Sequence, residues 1–179
     1  IEARRAESKK SGKLRGIGMC TYTERCGGGF PETAIVRFND DETVTVVMGQ
    51  QDYGTGLTTM FRMVMAGKLG LSADQVKLVT GDSDLVPMGL TGGSRGMAVA
   101  DSALSVASDQ VIEKGREIAG ETLEAAAADI EFSPGDGAFL IAGTDRRVGL
   151  FEVAKAARDK GDAAALDTEY THAPAAETF

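Results

Sequence analysis

The chain has 179 residues, 42% hydrophobic, 26% charged and 6% aromatic, the composition of a folded chain able to bury a core, neither disordered nor fibrous. Its formal net charge of −8 argues against nucleic-acid backbones as partners. Its longest apolar stretches fall short of the ~18 residues that a bilayer span needs, and no charged-then-apolar leader opens it, so neither membrane insertion nor secretion is expected.

In chain order, IEARRAESKKSG (residues 1–12) is charged and helix-compatible, and is expected to be the tail of a helix that starts upstream. The chain begins at Ile1, not Met, which suggests a segment of a longer protein. Residues 1–38 carry eight basic and four acidic side chains, a positive head before an acidic body, suited to an acidic partner surface or simply to a solvated terminus. Ile17–Thr23, Ala34–Phe38 and Thr43–Met48 are rich in β-branched and aromatic residues and are expected to be strands, the last two joined by a turn at Asn39-Asp40-Asp41. Gly27-Gly28-Gly29-Phe30-Pro31 between the first two can only be loop.

Leu57, Met60, Phe61, Val64 and Met65 recur at helical spacing, an amphipathic helix ending near Gly67–Gly70 whose methionines are expected in the core. Val76–Thr80 returns as a strand. Gly81–Arg95 is a long loop rich in glycine and proline, of the kind that tends to carry function or disorder. A long helix over Met97–Ala125 follows, with Leu104, Val111 and Ile118 on one face. Short strands are expected at Ile130–Phe132, Phe139–Ala142 and Arg146–Val148, with a turn at Pro134-Gly135-Asp136-Gly137, then a helix from Leu150 to about Lys160 that buries Leu150, Val153, Ala154 and Ala157. Residues 162–179 read as an extended polar tail. This order is neither strict βαβ alternation nor an all-β run. It predicts a single α+β unit over residues 1–179, with mixed sheets covered by helices.

Two glycine-rich segments could carry chemistry. Met48–Gly56 runs from a strand into a helix, where free N–H groups and glycines that admit close approach suit a phosphate. It fails as a dinucleotide fingerprint, because Thr59 stands where the third glycine would be, and it lacks the Gly-Lys-Ser/Thr ending of a P-loop. A glycine-rich turn capping a helix fits it equally well. Thr91-Gly92-Gly93-Ser94-Arg95 also precedes a helix and combines hydroxyls, glycines and a guanidinium, the ingredients of an anion site or of a flexible loop with a helix cap.

The remaining candidates are weak. Asp82 and Asp84 read as a turn and Glu24 as a solvated or salt-bridged acid. The two cysteines, Cys20 and Cys26, read as buried thiols in a reducing compartment. His172 lies in the polar tail with no partner in sight, and no nucleophile–base pair can be assembled.

Taken together, GKLRGIGMCTYTERCGGGFPETAIVRF, TVTVVMGQQDYGTGLTTMF and VTGDSDLVPMGLTGGSRGMAVADSAL, in that order, resemble the molybdopterin-binding large subunit of the molybdenum hydroxylases, the family of xanthine dehydrogenase, aldehyde oxidoreductase and aerobic-type carbon monoxide dehydrogenase. The likeness runs from about Gly12 to Phe179 and corresponds to the first part of the second cofactor-binding half of that subunit. It implies the molybdopterin-binding fold of the aldehyde oxidase/xanthine dehydrogenase type. It also implies molybdenum held by a molybdopterin, as a cytosine dinucleotide in bacteria, which oxidises CO, an aldehyde or an N-heterocycle with oxygen from water. Iron–sulfur and flavin (FAD) subunits or domains would carry the electrons away, in a cytoplasmic dimer of heterotrimers.

By this resemblance Gly54, Thr55 and Gly56, with Gln51 and Tyr53 ahead of them, form one cofactor loop, and Thr91, Gly92, Gly93, Ser94 and Arg95 the second. Two positions depart from the family: Thr55 stands where a glutamine is usual, and Gly96 where a serine is common. The family's catalytic glutamate lies C-terminal to the matched segment and its substrate loops lie upstream. No catalytic or metal-ligating residue is therefore expected here, and residues 1–179 alone are expected to be inactive. The alternatives are a non-enzymatic α+β interaction domain and a simple nucleotide-binding domain.

Overall fold

A four-stranded sheet of order β3-β2-β1-β7 organises the larger part of the molecule, formed by β1 (Glu32–Phe38), β2 (Val44–Met48), β3 (Val76–Thr80) and β7 (Thr168–His172) in a computed structural model that describes residues 1–23, 26–85 and 89–174. β1 and β2 form the expected hairpin, in antiparallel register from Ala34↔Met48 to Phe38↔Val44. The chain then crosses through a helix, α2 (Leu57–Leu69), and β3 returns parallel to β2. One parallel pair among antiparallel ones makes the sheet mixed, as anticipated.

Period-2 alternation in the strands sorts their side chains. Ala34, Val36 and Phe38 of β1 and Val44, Val46 and Met48 of β2 are buried in the main core, while Ile35 and Val47 form a small cluster of their own with Val79. The main core is completed by Leu57, Phe61, Met65 and Leu69 of α2 and by α3 (Asp101–Leu123), which contributes Ala103, Leu104, Ala107 and Val111. Removing each large apolar side chain from water contributes about 1.5–3 kcal/mol. Short residues along α3 matter as much, because they let its axis approach its neighbours. A Cβ at Gly115 would stand 2.3 Å from the Phe139 ring.

A second, three-stranded antiparallel sheet, β4 (Ile130–Ser133), β5 (Ala138–Ile141) and β6 (Arg147–Gly149), lies against α3, with the Phe132 and Phe139 rings in tilted contact, 55° apart in plane at a centroid distance of 4.8 Å. α4 (Leu150–Asp159) buries Leu150, Val153, Ala154 and Ala157, as its spacing predicts. Its start is secured by Glu152, whose carboxylate accepts the Gly149 N–H at 2.7 Å.

The structure departs from the sequence expectations in several places. Ile17–Thr23 is not a strand: it has no ladder partner among the described residues, and Met19 is 95% and Tyr22 80% exposed. β propensity describes a side chain that fits a half-buried pleated surface, and these described residues offer that segment no such surface. Cys20 and Cys26, expected to be buried, are exposed free thiols, Cys20 within that unpaired segment. Met60 lies at the edge of the α2 stripe, 36% exposed, because the buried face follows the i, i+4 row through Leu57, Phe61, Met65 and Leu69. The expected extended tail over residues 162–179, of which 175–179 lie outside the described residues, is not all extended tail in residues 162–174. Thr168–His172 pair with β1, so His172 sits opposite Glu32 as a strand residue. At the start of the chain, α1 covers Glu2–Lys10, in keeping with the helix-compatible opening segment. The long helix begins one turn late: Gly96–Ala100 form a π-helical turn that leads into α3. Glu24 lies outside the described residues. Among the described residues no helix is long and apolar enough to cross a membrane.

Candidate functional site

The two glycine loops, 40 residues apart in sequence, lie side by side. β2 and β3 are adjacent parallel strands, so the loops that follow them emerge at the same end of the sheet. Thr91 joins the loops: its hydroxyl accepts the Gln51 N–H at 2.7 Å and lies 3.0 Å from the Gln51 carbonyl, to which it donates. Tyr53 Oη lies 3.4 Å from the Thr91 carbonyl. Gly89 then rests directly on Gly49, where a Cβ would come within 2.0 Å of the Gly49 carbonyl carbon. Only glycine fits such a backbone crossing. Gln51, Tyr53, Gly54, Thr55 and Gly56 are thereby set beside Thr91, Gly92, Gly93 and Ser94.

Gly54, Gly56 and Gly93 have positive φ of 101°, 80° and 58°, so their glycines answer first to backbone geometry. Gly92 has neither a positive φ nor any atom within 4 Å of where its Cβ would stand. No contact among the described residues requires glycine there. The second loop ends on Ser94, at φ 48°.

The first loop is not the set of free N–H donors that the sequence suggests. The Asp52 carboxylate accepts the amides of Gly54 (3.0 Å), Thr55 (3.0 Å) and Gly56 (3.2 Å) through Oδ1, and that of Thr58 (2.8 Å) through Oδ2. The start of α2 is therefore already capped by the protein's own anion. The Thr58 bond is the main reason that the Asp52 carboxyl is held well below the usual carboxylate range, with the Gly54 and Gly56 amides adding to it. What this loop leaves to a ligand is glycine backbone surface and the side chains of Gln51, Tyr53 and Thr55.

Arg95 is also placed differently from its sequence expectation. Its guanidinium points inward, 1% exposed, beside the equally buried Glu32 at 3.4 Å. Burial pushes the Glu32 carboxyl above its ordinary range. The Arg95 charge opposes that shift without cancelling it, as do a hydrogen bond from Gln50 and the nearby Gly49 and Leu90 backbone. Sequence reasoning missed Asp52, Glu32 and Gln50. For Asp52 a signal existed, since an Asp two residues before a glycine at a helix start is an Asx-turn pattern. For Glu32 only its place just ahead of the expected strand Ala34–Phe38, mostly apolar but for Arg37, hinted at burial.

Asp82 and Asp84 form a turn, the Asp82 carboxylate accepting the Asp84 N–H at 3.0 Å. No group of three His, Cys, Asp or Glu side chains is placed to hold a metal among the described residues. A surface concavity of about 390 Å³ bordered by Glu113, Lys114, Arg116, Glu117, Ala127 and Ala128 is formed by other residues than these loops.

Residues 1–178 match the molybdopterin cofactor-binding domain family. The chain is 34% identical over 167 residues to the 6-hydroxypseudooxynicotine dehydrogenase complex subunit gamma of Paenarthrobacter nicotinovorans, covering 91% of this chain and 21% of that protein. It is 31% identical over 141 residues to the carbon monoxide dehydrogenase large chain of Afipia carboxidovorans, covering 70% and 17%. Among solved structures it superposes on the reconstituted CO dehydrogenase of Oligotropha carboxidovorans with a TM-score of 0.77 at 27% identity, over 97% of this chain and 24% of that one. On quinoline 2-oxidoreductase from Pseudomonas putida 86 the TM-score is 0.64 at 28% identity, over 81% and 19%. The chain thus spans about one-fifth of the length of these relatives.

Proposed function

Since this chain belongs to the molybdopterin cofactor-binding domain family, we propose that it supplies one wall of the cofactor cleft in the large subunit of a molybdenum hydroxylase. The contacts are Gln51, Tyr53, Gly54, Thr55 and Gly56 from the first loop and Thr91, Gly92, Gly93 and Ser94 from the second, with Arg95 beneath them. The observation that carries this reading is the Thr91 bridge, which brings the two loops together beside a glycine, Gly92, that no contact among the described residues explains. A flat, polar, multi-ring ligand fits such a surface: glycines admit its rings closely, while hydroxyls and an amide meet its heteroatoms.

When bound, the molybdenum–pterin supplies the oxidation of CO, an aldehyde or an N-heterocycle with oxygen from water. The residues of this chain position that group and shield one face of it. Thr55 offers a short hydroxyl at a place where a longer amide is usual, so its contact is direct only to a ligand atom close to the backbone. The cofactor is proposed to be the cytosine dinucleotide form. The substrate loops and the catalytic acid belong to other parts of the full polypeptide, so residues 1–179 alone are inactive. Iron–sulfur and flavin subunits complete a cytoplasmic assembly, proposed as a dimer of heterotrimers.

The test is to purify the full-length polypeptide containing this segment from cells able to make the cofactor, and to measure molybdenum and the nucleotide released by acid. Near-stoichiometric molybdenum with CMP is expected. Absence of both from a folded preparation would refute the reading in favour of a non-catalytic interaction domain.

A further inference from the structure

Arg95 makes more contacts than an ion pair needs. Its Nη2 donates to the Phe30 carbonyl at 2.6 Å and the Pro31 carbonyl at 3.2 Å, its Nη1 donates to the Leu90 carbonyl at 3.3 Å, and the same Nη1 lies 3.4 Å from Glu32 Oε2. Glu32 in turn accepts from Gln50 Nε2 at 3.4 Å. Glu32, Gln50 and Arg95 are all buried. One polar node therefore touches three loops: the first cofactor loop through Gln50, the second through Leu90 and Arg95 itself, and the Gly27–Pro31 loop through two carbonyls. The third loop is also fastened directly to the second, since the Gly27 N–H donates to the Gly93 carbonyl at 2.9 Å.

We propose that Arg95, with Glu32 as its counterion, is a positioning residue that sets the spacing of the cofactor cleft, and that the Gly27–Pro31 loop it holds forms a third wall of that cleft. This rests on the assignment of the two glycine loops to molybdopterin. The third loop has the character of a ligand wall. Among the described residues, apart from its chain neighbours, no atom lies within 4 Å of where a Cβ would stand at Gly29, whose φ is not positive, whereas Gly28 has a φ of 64°, and Phe30 is 57% exposed although its carbonyl is tied down by Arg95.

Stability is a poor explanation for the node. A buried ion pair 3.4 Å apart recovers little beyond its desolvation, whereas buried ionic groups are best attested where they fix register. The choice of arginine fits that purpose, because a planar fork presents separate nitrogens to carbonyls on different loops, and a lysine ammonium offers a single point.

Two variants of the full-length polypeptide test this: Arg95→Lys, which keeps the charge opposite Glu32 but loses the fork, and the double variant Glu32→Gln/Arg95→Met, which removes both charges at similar volume. Both are expected to unfold thermally near the wild type. After dialysis they should retain roughly a tenth or less of the wild-type molybdenum, the scale on which residues supporting a ligand shell act. Amide hydrogen exchange at Gly27–Gly29 and Gly89–Gly93 should quicken in both. Wild-type molybdenum retention in the folded double variant, or unchanged exchange in these loops, would overturn the proposal. A wild type without molybdenum would refute the cofactor assignment and, with it, the cleft role of Arg95, while the exchange data would still show separately whether the loops are held by it.

Discussion

Replacing Gly89 by alanine tests the point at which the two loops touch. The added Cβ would stand 2.0, 2.1 and 2.3 Å from the Gly49 carbonyl carbon, its oxygen and its Cα. Carbon atoms settle at about 3.5–4.0 Å, so the loops must part by more than about 1 Å. The obstacle is backbone rather than the end of a flexible side chain, which puts the strain toward the top of the ~1–3 kcal/mol range for overpacking. If the loops yield instead of the fold, the strain appears as displacement, and misplacing a ligand-positioning group by ~1 Å can cost on the order of a hundredfold in function. The assay is denaturant unfolding of the full-length polypeptide alongside its molybdenum content after dialysis. Gly92→Ala serves as the control for stability, because among the described residues its Cβ meets nothing within 4 Å and the variant should stay within about 0.5 kcal/mol of wild type. A Gly89→Ala protein that keeps both wild-type stability and wild-type molybdenum would refute the close crossing of the loops.

Other perturbations test other parts of the structure. Asp52→Asn should weaken the start of α2. The Asp52 carboxyl is held below its ordinary value of 3.8, so its stabilisation is present above that pH and lost as pH falls through the folded-state value. Acid titration of unfolding should therefore show a shallower loss below about pH 4 in the variant, and superimposable acid limbs would contradict the cap. Asp101 behaves in the opposite sense: burial raises its carboxyl, Lys68 only partly opposing this, and its Oδ1 is buried without a hydrogen bond. Its contribution is fully present below the unfolded value and lost as pH rises through the folded one, so Asp101→Asn should be neutral or stabilising at pH 7 in a thermal melt. Phe139→Ala should cost about 3–5 kcal/mol by denaturant unfolding, because the ring fills the contact between α3 and the second sheet. A loss below about 1 kcal/mol would mean that this sheet is not packed into the common core.

Much of this protein was legible in its sequence because local periodicity and turn chemistry act over a few residues. The helical spacing from Leu57 to Met65 found the helix and three of its buried residues, Leu57, Phe61 and Met65, the β-branched runs found the hairpin strands, and the stripe of α4 named its own buried face. The ordered glycine motifs pointed to the family for a related reason: a glycine at φ 101° or 80° is dictated by local backbone, so it leaves a mark on the sequence. The tertiary structure decided whatever depends on partners distant in the chain. It left Ile17–Thr23 without a ladder neighbour, exposed both cysteines and gave His172 a place in β7. It also reversed the apparent charge pattern of the site. Asp52 satisfies the amides that the sequence left open to a phosphate, and Arg95, which reads as the cation of an anion site, is drawn inward to Glu32 and three backbone carbonyls. A charged side chain carries no sequence signal of where its counterion lies, since that partner arrives from another loop and only folding brings the two together.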